Sequence, residues 1–82
     1  MVTVAYGASF ERTINKIRDS RVKARVKKQI IKIVHDPLIG KPMRYSRKQT
    51  REVYISPFRL SYCYDERRDL LIFLDLYHKD EQ

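Results

Sequence analysis

The chain is poor in the residues that build covalent or metal cross-links, with a single cysteine, Cys63, and two histidines, His35 and His78, far apart in sequence. A lone thiol excludes an intrachain disulfide, and one Cys with two distant His offers no zinc-ligand spacing, so neither a cofactor nor a metal is expected. No apolar stretch approaches the ~20 residues that a membrane-crossing helix requires. The first residues also lack the basic-then-apolar layout of a signal peptide. A soluble protein of the reducing cytoplasm is the expectation. Repeats, low-complexity tracts and linkers are absent as well, and 82 residues support one hydrophobic core, so residues 1–82 are read as a single domain.

Acid is scarce in the first part of the chain. Residues 1–51 hold 14 of the 18 Lys and Arg but only 3 of the 10 Asp and Glu, within a formal net charge of +8. A polyanion is attracted by such a surface over roughly 8 Å at physiological salt, whereas a neutral small molecule gains nothing from it. RNA, the DNA backbone or an acidic protein is therefore the partner class, with a merely solubilising face as the competing reading.

Along the chain the hydrophobic period changes twice. Val2, Val4 and Tyr6 alternate with Thr3 and Ala5, the pattern of a short half-buried strand ended by Gly7. Ser9 is a candidate helix cap, and Phe10, Ile14 and Ile17 follow at helical spacing. After Asp19-Ser20 a second helix is predicted over 21–35. Its apolar stripe is Val22, Val26, Ile30, Ile33 and Val34, and Lys23, Arg25, Lys27, Lys28 and Lys32 cover the rest. Asp36-Pro37 stops it, because proline disfavours helical geometry in the residue before it.

Residues 38–51 carry Gly40, Pro42 and a basic cluster of Lys41, Arg44, Arg47, Lys48 and Arg51, read as a loop with one short strand. Three strands are then predicted: 51–55, 58–64 and the nearly continuous apolar run 70–77, with turns at Ser56-Pro57 and 65–69. The result is an α+β fold: an N-terminal strand, a helical hairpin, then a three- to four-stranded antiparallel sheet carrying both helices on one face. The last strand reads as central and covered on both sides.

Arg59 is the leading candidate for chemistry. Phe58, Leu60, Tyr62 and Tyr64 pack inward, which turns Arg59 to the opposite face beside Ser61 and Cys63. A mid-strand guanidinium there suits a phosphate gripped through two hydrogen bonds. The competing reading pairs it across the sheet with an acid such as Asp75 or Glu52. Cys63 has no nearby feature that would lower a thiol pKa, and His35 is explained as a cation at a helix C-terminus. Tyr77, His78 and Lys79 place a phenol, an imidazole and an ammonium at the end of the last strand, each able to move a proton.

Taken together, several pieces of the chain resemble the RelE/ParE superfamily of type II toxin–antitoxin modules. They are Phe10-x-Arg12 opening a hairpin, Asp36-Pro37 closing a basic helix, Gly40-Lys41-Pro42, Arg51-Glu52-Val53-Tyr54, Phe58-Arg59-Leu60-Ser61-Tyr62 and His78-Lys79-Asp80-Glu81. The most characteristic is the Arg-Leu-x-Tyr strand followed by His-Lys. The resemblance covers nearly the whole chain. It implies a toxin held inactive in a hetero-oligomer by an acidic antitoxin wrapped over the helices and sheet edge.

In the RelE-like branch such a toxin is an mRNA interferase, cleaving mRNA on the ribosome without a metal; in the ParE-like branch it poisons DNA gyrase. On the first reading Arg59 holds the scissile phosphate and Lys79 matches the basic position after the last strand. Arg44, Arg47, Lys48 and Arg51 are the expected contacts to RNA phosphates. The chain differs from the active RelE pattern in offering Arg51, Glu52 and Tyr54 where that pattern has lysines. It also ends at Gln82, before the tail that commonly supplies a catalytic tyrosine or arginine, so Tyr54, Tyr77 and His78 are the expected substitutes and the chemistry is expected to be atypical. A plain nucleic-acid-binding module, with the basic helix along phosphates, is the third reading.

Overall fold

A computed structural model describes residues 2–43 and 49–81. The elements are β1 (Thr3–Tyr6), α1 (Ala8–Lys16), α2 (Ser20–His35), β2 (Lys41–Pro42), β3 (Thr50–Ile55), β4 (Phe58–Asp65), β5 (Leu70–His78) and a closing 3-10 turn (Lys79–Glu81). The two helices begin for different reasons. Asp19 caps α2, its carboxylate accepting the Arg21 N–H at 2.9 Å. Gly7, not Ser9, is the N-cap of α1. The reason is tertiary: the Gly7 N–H is committed to the Phe73 carbonyl at 2.7 Å, which fixes where the strand ends and the helix starts.

The strands form one sheet in the order β1-β5-β4-β3-β2. β2 through β5 make an antiparallel meander, and β1 joins β5 in parallel. The sheet is thus mixed and five-stranded, where the sequence pattern suggested an antiparallel sheet. The chain leaves β1 through two helices before the meander begins, so β1 takes the edge beside β5. The strand β5 is internal, as its apolar character implied, but it is covered on one face only, with Leu74 exposed.

A bulge explains why β5 reads as continuously apolar. Opposite β4 the register shifts between Ser61 and Tyr62, so Ser61 faces Asp75 while Tyr62 faces Phe73, leaving Leu74 as the extra residue. Such an insertion reverses the in–out alternation beyond it. Leu71, Phe73 and Leu76 all reach the core despite their uneven spacing, joining Phe10 of α1, Val22, Val26 and Ile33 of α2, and Ile55, Leu60 and Tyr62. Each large apolar side chain buried there contributes about 1.5–3 kcal/mol.

The connection after α2 is pinned from within. The Tyr62 hydroxyl donates to the Pro37 carbonyl and accepts the Gly40 N–H, both at 2.8 Å. A Cβ at position 40 would lie 2.5 Å from that hydroxyl oxygen, so only glycine fits there. One guanidinium nitrogen of Arg51 donates to the carbonyls of Gly40 at 2.8 Å and Leu38 at 3.2 Å.

Candidate active site on the open sheet face

Residues directly opposite one another in antiparallel strands point to the same side of a sheet. Leu60 is buried against the helices and faces Val53 on β3 and Leu76 on β5. The next position on each strand therefore points to the uncovered face. There Tyr54, Arg59 and Tyr77 form one row across three strands, and Glu52, Ser61 and Asp75 form the adjacent row.

Glu52 ties the two rows together. Its carboxylate accepts a hydrogen bond from an Arg59 terminal nitrogen at 2.6 Å through one oxygen. Through the other it accepts from the Tyr77 hydroxyl at 2.7 Å. The Arg59–Glu52 pair is partly sheltered, with the arginine side chain 35% exposed and the glutamate 17%. Arg59 Nε is buried without a hydrogen-bond partner among the described residues. A buried donor that no protein acceptor satisfies costs stability, and a ligand oxygen would repay it. Lys79 completes the group: its ammonium sits 5.8 Å above the centre of the Tyr54 ring, within cation–π range.

Four of the residues predicted from sequence, Tyr54, Arg59, Tyr77 and Lys79, are thus brought to one region. His78 is not with them. It lies opposite Phe58, on the helix-covered side, its ring edge-on to that phenylalanine at 5.8 Å, and its Nδ1 accepts the Asp80 N–H at 3.3 Å. Arg51 is also on the helix side, clamping the loop carbonyls described above. Arg44, Arg47 and Lys48 lie outside the described residues. Cys63 shares the open face, opposite Thr50 and Ile72, but burial, with Asp65 nearby, pushes its thiol pKa up, which keeps it protonated and a poor nucleophile.

Sequence reasoning saw Glu52 only as an ion-pair partner. The signal that finds it is the parity of β3: with Val53 and Ile55 inward, Glu52 and Tyr54 must share the face of Arg59. The cluster offers an acceptor for a proton, a cation for a phosphate, and a phenol and an ammonium as acids. Among the described residues no three His, Cys, Asp or Glu side chains converge closely enough to hold a metal ion.

No sequence profile of a known protein family matches the chain, and no curated protein matches it in sequence. Solved structures do resemble it. The toxin–antitoxin complex RelBE2 from Mycobacterium tuberculosis contains a chain 24% identical, with 95% of this chain and 98% of that one aligned at a TM-score of 0.78. The intact RelBE toxin–antitoxin complex of E. coli aligns over 95% and 96% at 14% identity and a TM-score of 0.82. The isolated E. coli RelE toxin aligns over 95% and 84% at 15% identity and a TM-score of 0.80. The fold is therefore that of the RelE toxins. In addition, no described helix is long and apolar enough to cross a membrane.

Proposed function

We propose that this chain is the toxin of a toxin–antitoxin pair and that its open sheet face cleaves messenger RNA on the ribosome. The observation that carries the reading is the Glu52–Arg59–Tyr77 cluster, with an arginine donor left without a protein acceptor. The RelE-type fold supports it. In the reaction, the Glu52 carboxylate takes the proton of a ribose 2′-hydroxyl, and the freed oxygen attacks the adjacent phosphorus. Arg59 turns from Glu52 to the phosphate and stabilises the charge that develops there. The bond from phosphorus to the 5′-oxygen breaks as Tyr77 or Lys79 protonates the leaving oxygen. The products are a 2′,3′-cyclic phosphate and a 5′-hydroxyl.

The antitoxin partner has a matching surface. Tyr6, Phe10, Ile14, Val26 and Ile31 line an apolar groove between α1 and α2, and Lys23 and Lys27 border it. An amphipathic segment with an acidic rim suits both features. Folding of a disordered acidic segment into this groove would hold the toxin in a hetero-oligomer.

Transcript mapping in a translating extract tests the reading. The wild-type chain is expected to produce cuts ending in cyclic phosphate that disappear with Arg59→Ala and with Glu52→Gln, and to stop when the antitoxin is added. One observation favours a second reading: the Arg59 fork is already engaged by Glu52, as in a surface that docks rather than reacts. A gyrase-binding toxin would arrest growth with intact messages and damaged DNA, and that outcome would displace the ribonuclease.

A further inference from the structure

The flank of α2 that faces away from the α1 groove forms a second cleft. Arg25, Lys28 and Lys32 line it from the helix, at the i, i+3 and i+7 positions of one helical face, and Tyr54 and Ser56 line it from β3 and the turn that follows. No acid lies anywhere in Ser20–His35, and no ion pair engages Arg25, Lys28 or Lys32 among the described residues. Tyr54 is 52% exposed, lies beside Arg59 in the sheet and carries the Lys79 ammonium over its ring. Tyr54 thus belongs both to the candidate active site and to this cleft.

These features cost the isolated protein something. Like charges one turn apart, as in Lys28 and Lys32, repel along the helix. An exposed aromatic ring gains little from water. A single-stranded polyanion with flat bases relieves both, because phosphates neutralise the cations while a base stacks on the phenol. An acidic peptide would satisfy the charges but leave the ring unused.

We infer that the cleft between α2 and the β3–β4 turn is a single-stranded RNA track, in which a base stacks on Tyr54 while the phosphates next to the one held by Arg59 run onto Lys28, Lys32 and Arg25. The inference deepens the ribonuclease reading and rests on it for the choice of nucleic acid. It also divides α2 into two flanks, Lys23 and Lys27 toward the apolar groove, and Arg25, Lys28 and Lys32 toward RNA.

That division supplies the test. Binding of a fluorescein-labelled hexaribonucleotide, 2′-O-methylated throughout so that it cannot be cut, is measured by anisotropy across a series of salt concentrations. Lys28→Gln with Lys32→Gln is expected to weaken binding roughly tenfold and to flatten the log–log salt slope by about 1.4, at about 0.7 for each phosphate no longer neutralised. Lys23→Gln with Lys27→Gln changes the net charge equally and is expected to leave binding near wild type. Tyr54→Ala is expected to lose about fivefold or more, and Tyr54→Phe to retain the affinity.

Equal weakening by the two lysine pairs, or no weakening by either, overturns the track. So does binding of a decaglutamate peptide that depends on Lys28 and Lys32 while the RNA oligomer fails to bind. The cleavage reading fails separately: a wild-type chain that binds the oligomer through Lys28 and Lys32 yet cuts no transcript keeps the track and loses the nuclease.

Discussion

The two faces of one sheet differ more than any two elements of this protein. On β4, Leu60 and Tyr62 are fully buried beneath the helices, while Arg59 and Cys63 on the same strand are partly open to solvent. The covered face is apolar at its centre, with Arg51 and His78 toward its ends, and is closed by α1 and α2. The open face holds the Glu52–Arg59–Tyr77 cluster and a buried guanidinium donor that no described protein group accepts. Packing accounts for the first face completely. It does not account for the second, where sheltered charges carry a desolvation cost that an apolar face avoids. A face that the fold does not require is where function is to be sought.

The sharpest way to break this division is to truncate one residue on each side. Phe73→Ala on the covered face is expected to cost about 3–5 kcal/mol by cavity formation, a large part of the 5–15 kcal/mol typical of small domains. Its urea midpoint should fall far below that of the wild type. Arg59→Ala on the open face should move the midpoint little, since partly exposed ion pairs contribute about 0–1 kcal/mol. If the chain is the proposed ribonuclease, it should instead reduce transcript cleavage by about 10²–10³-fold, the usual loss when one donor to a developing charge is removed. Comparable stability losses at the two positions would show that the open face is structural after all.

Much of this contrast was legible in the sequence. Phe58, Leu60, Tyr62 and Tyr64 alternate with Arg59, Ser61 and Cys63, and local parity alone sends Arg59 outward. The stripe of Val22, Val26 and Ile33 likewise predicts which side of α2 is covered. What escaped was set by pairing between distant segments. The parallel place of β1 and the start of α1 at Gly7 depend on segments more than 60 residues apart, and the bulge that brings Phe73 and Leu76 to one face depends on the register of β5 against β4. Glu52 escaped for a different reason: the parity of β3 gives its face, but only the registers of β3, β4 and β5 together show that it reaches both Arg59 and Tyr77.

A smaller effect sharpens the comparison from inside the covered face. Tyr62 is the one core side chain whose polar end is put to use, joining the Pro37 carbonyl and the Gly40 N–H beneath the loop that Arg51 also clamps. Tyr62→Phe keeps the ring and its packing but leaves the buried Gly40 N–H and the partly buried Pro37 carbonyl without this partner, so a loss of about 1–3 kcal/mol is expected. The same variant should speed amide hydrogen exchange at Gly40 more than at Leu60. A uniform increase at both sites would mean that the hydroxyl stabilises the whole domain and does not anchor the loop.

The smallest expected effect is a dependence of stability on alkaline pH, and its sign follows from the same contrast. Burial raises the Tyr62 pKa above 10.0, against the smaller lowering effects of the Gly40 N–H and Arg51. The Tyr64 phenol is raised chiefly because it donates to Asp69, and the Cys63 thiol is raised above 9.0 by burial. In each case the folded state favours the protonated form, so the unfolded chain ionises first as pH rises. Stability is therefore full below about pH 9, falls as the free thiol and phenols ionise, and levels only above the raised folded values. Urea midpoints measured between pH 8 and 11 should decline, and Tyr62→Phe should flatten the upper part of that decline. A decline that Tyr62→Phe leaves as steep as in the wild type would mean that the buried phenol does not carry it.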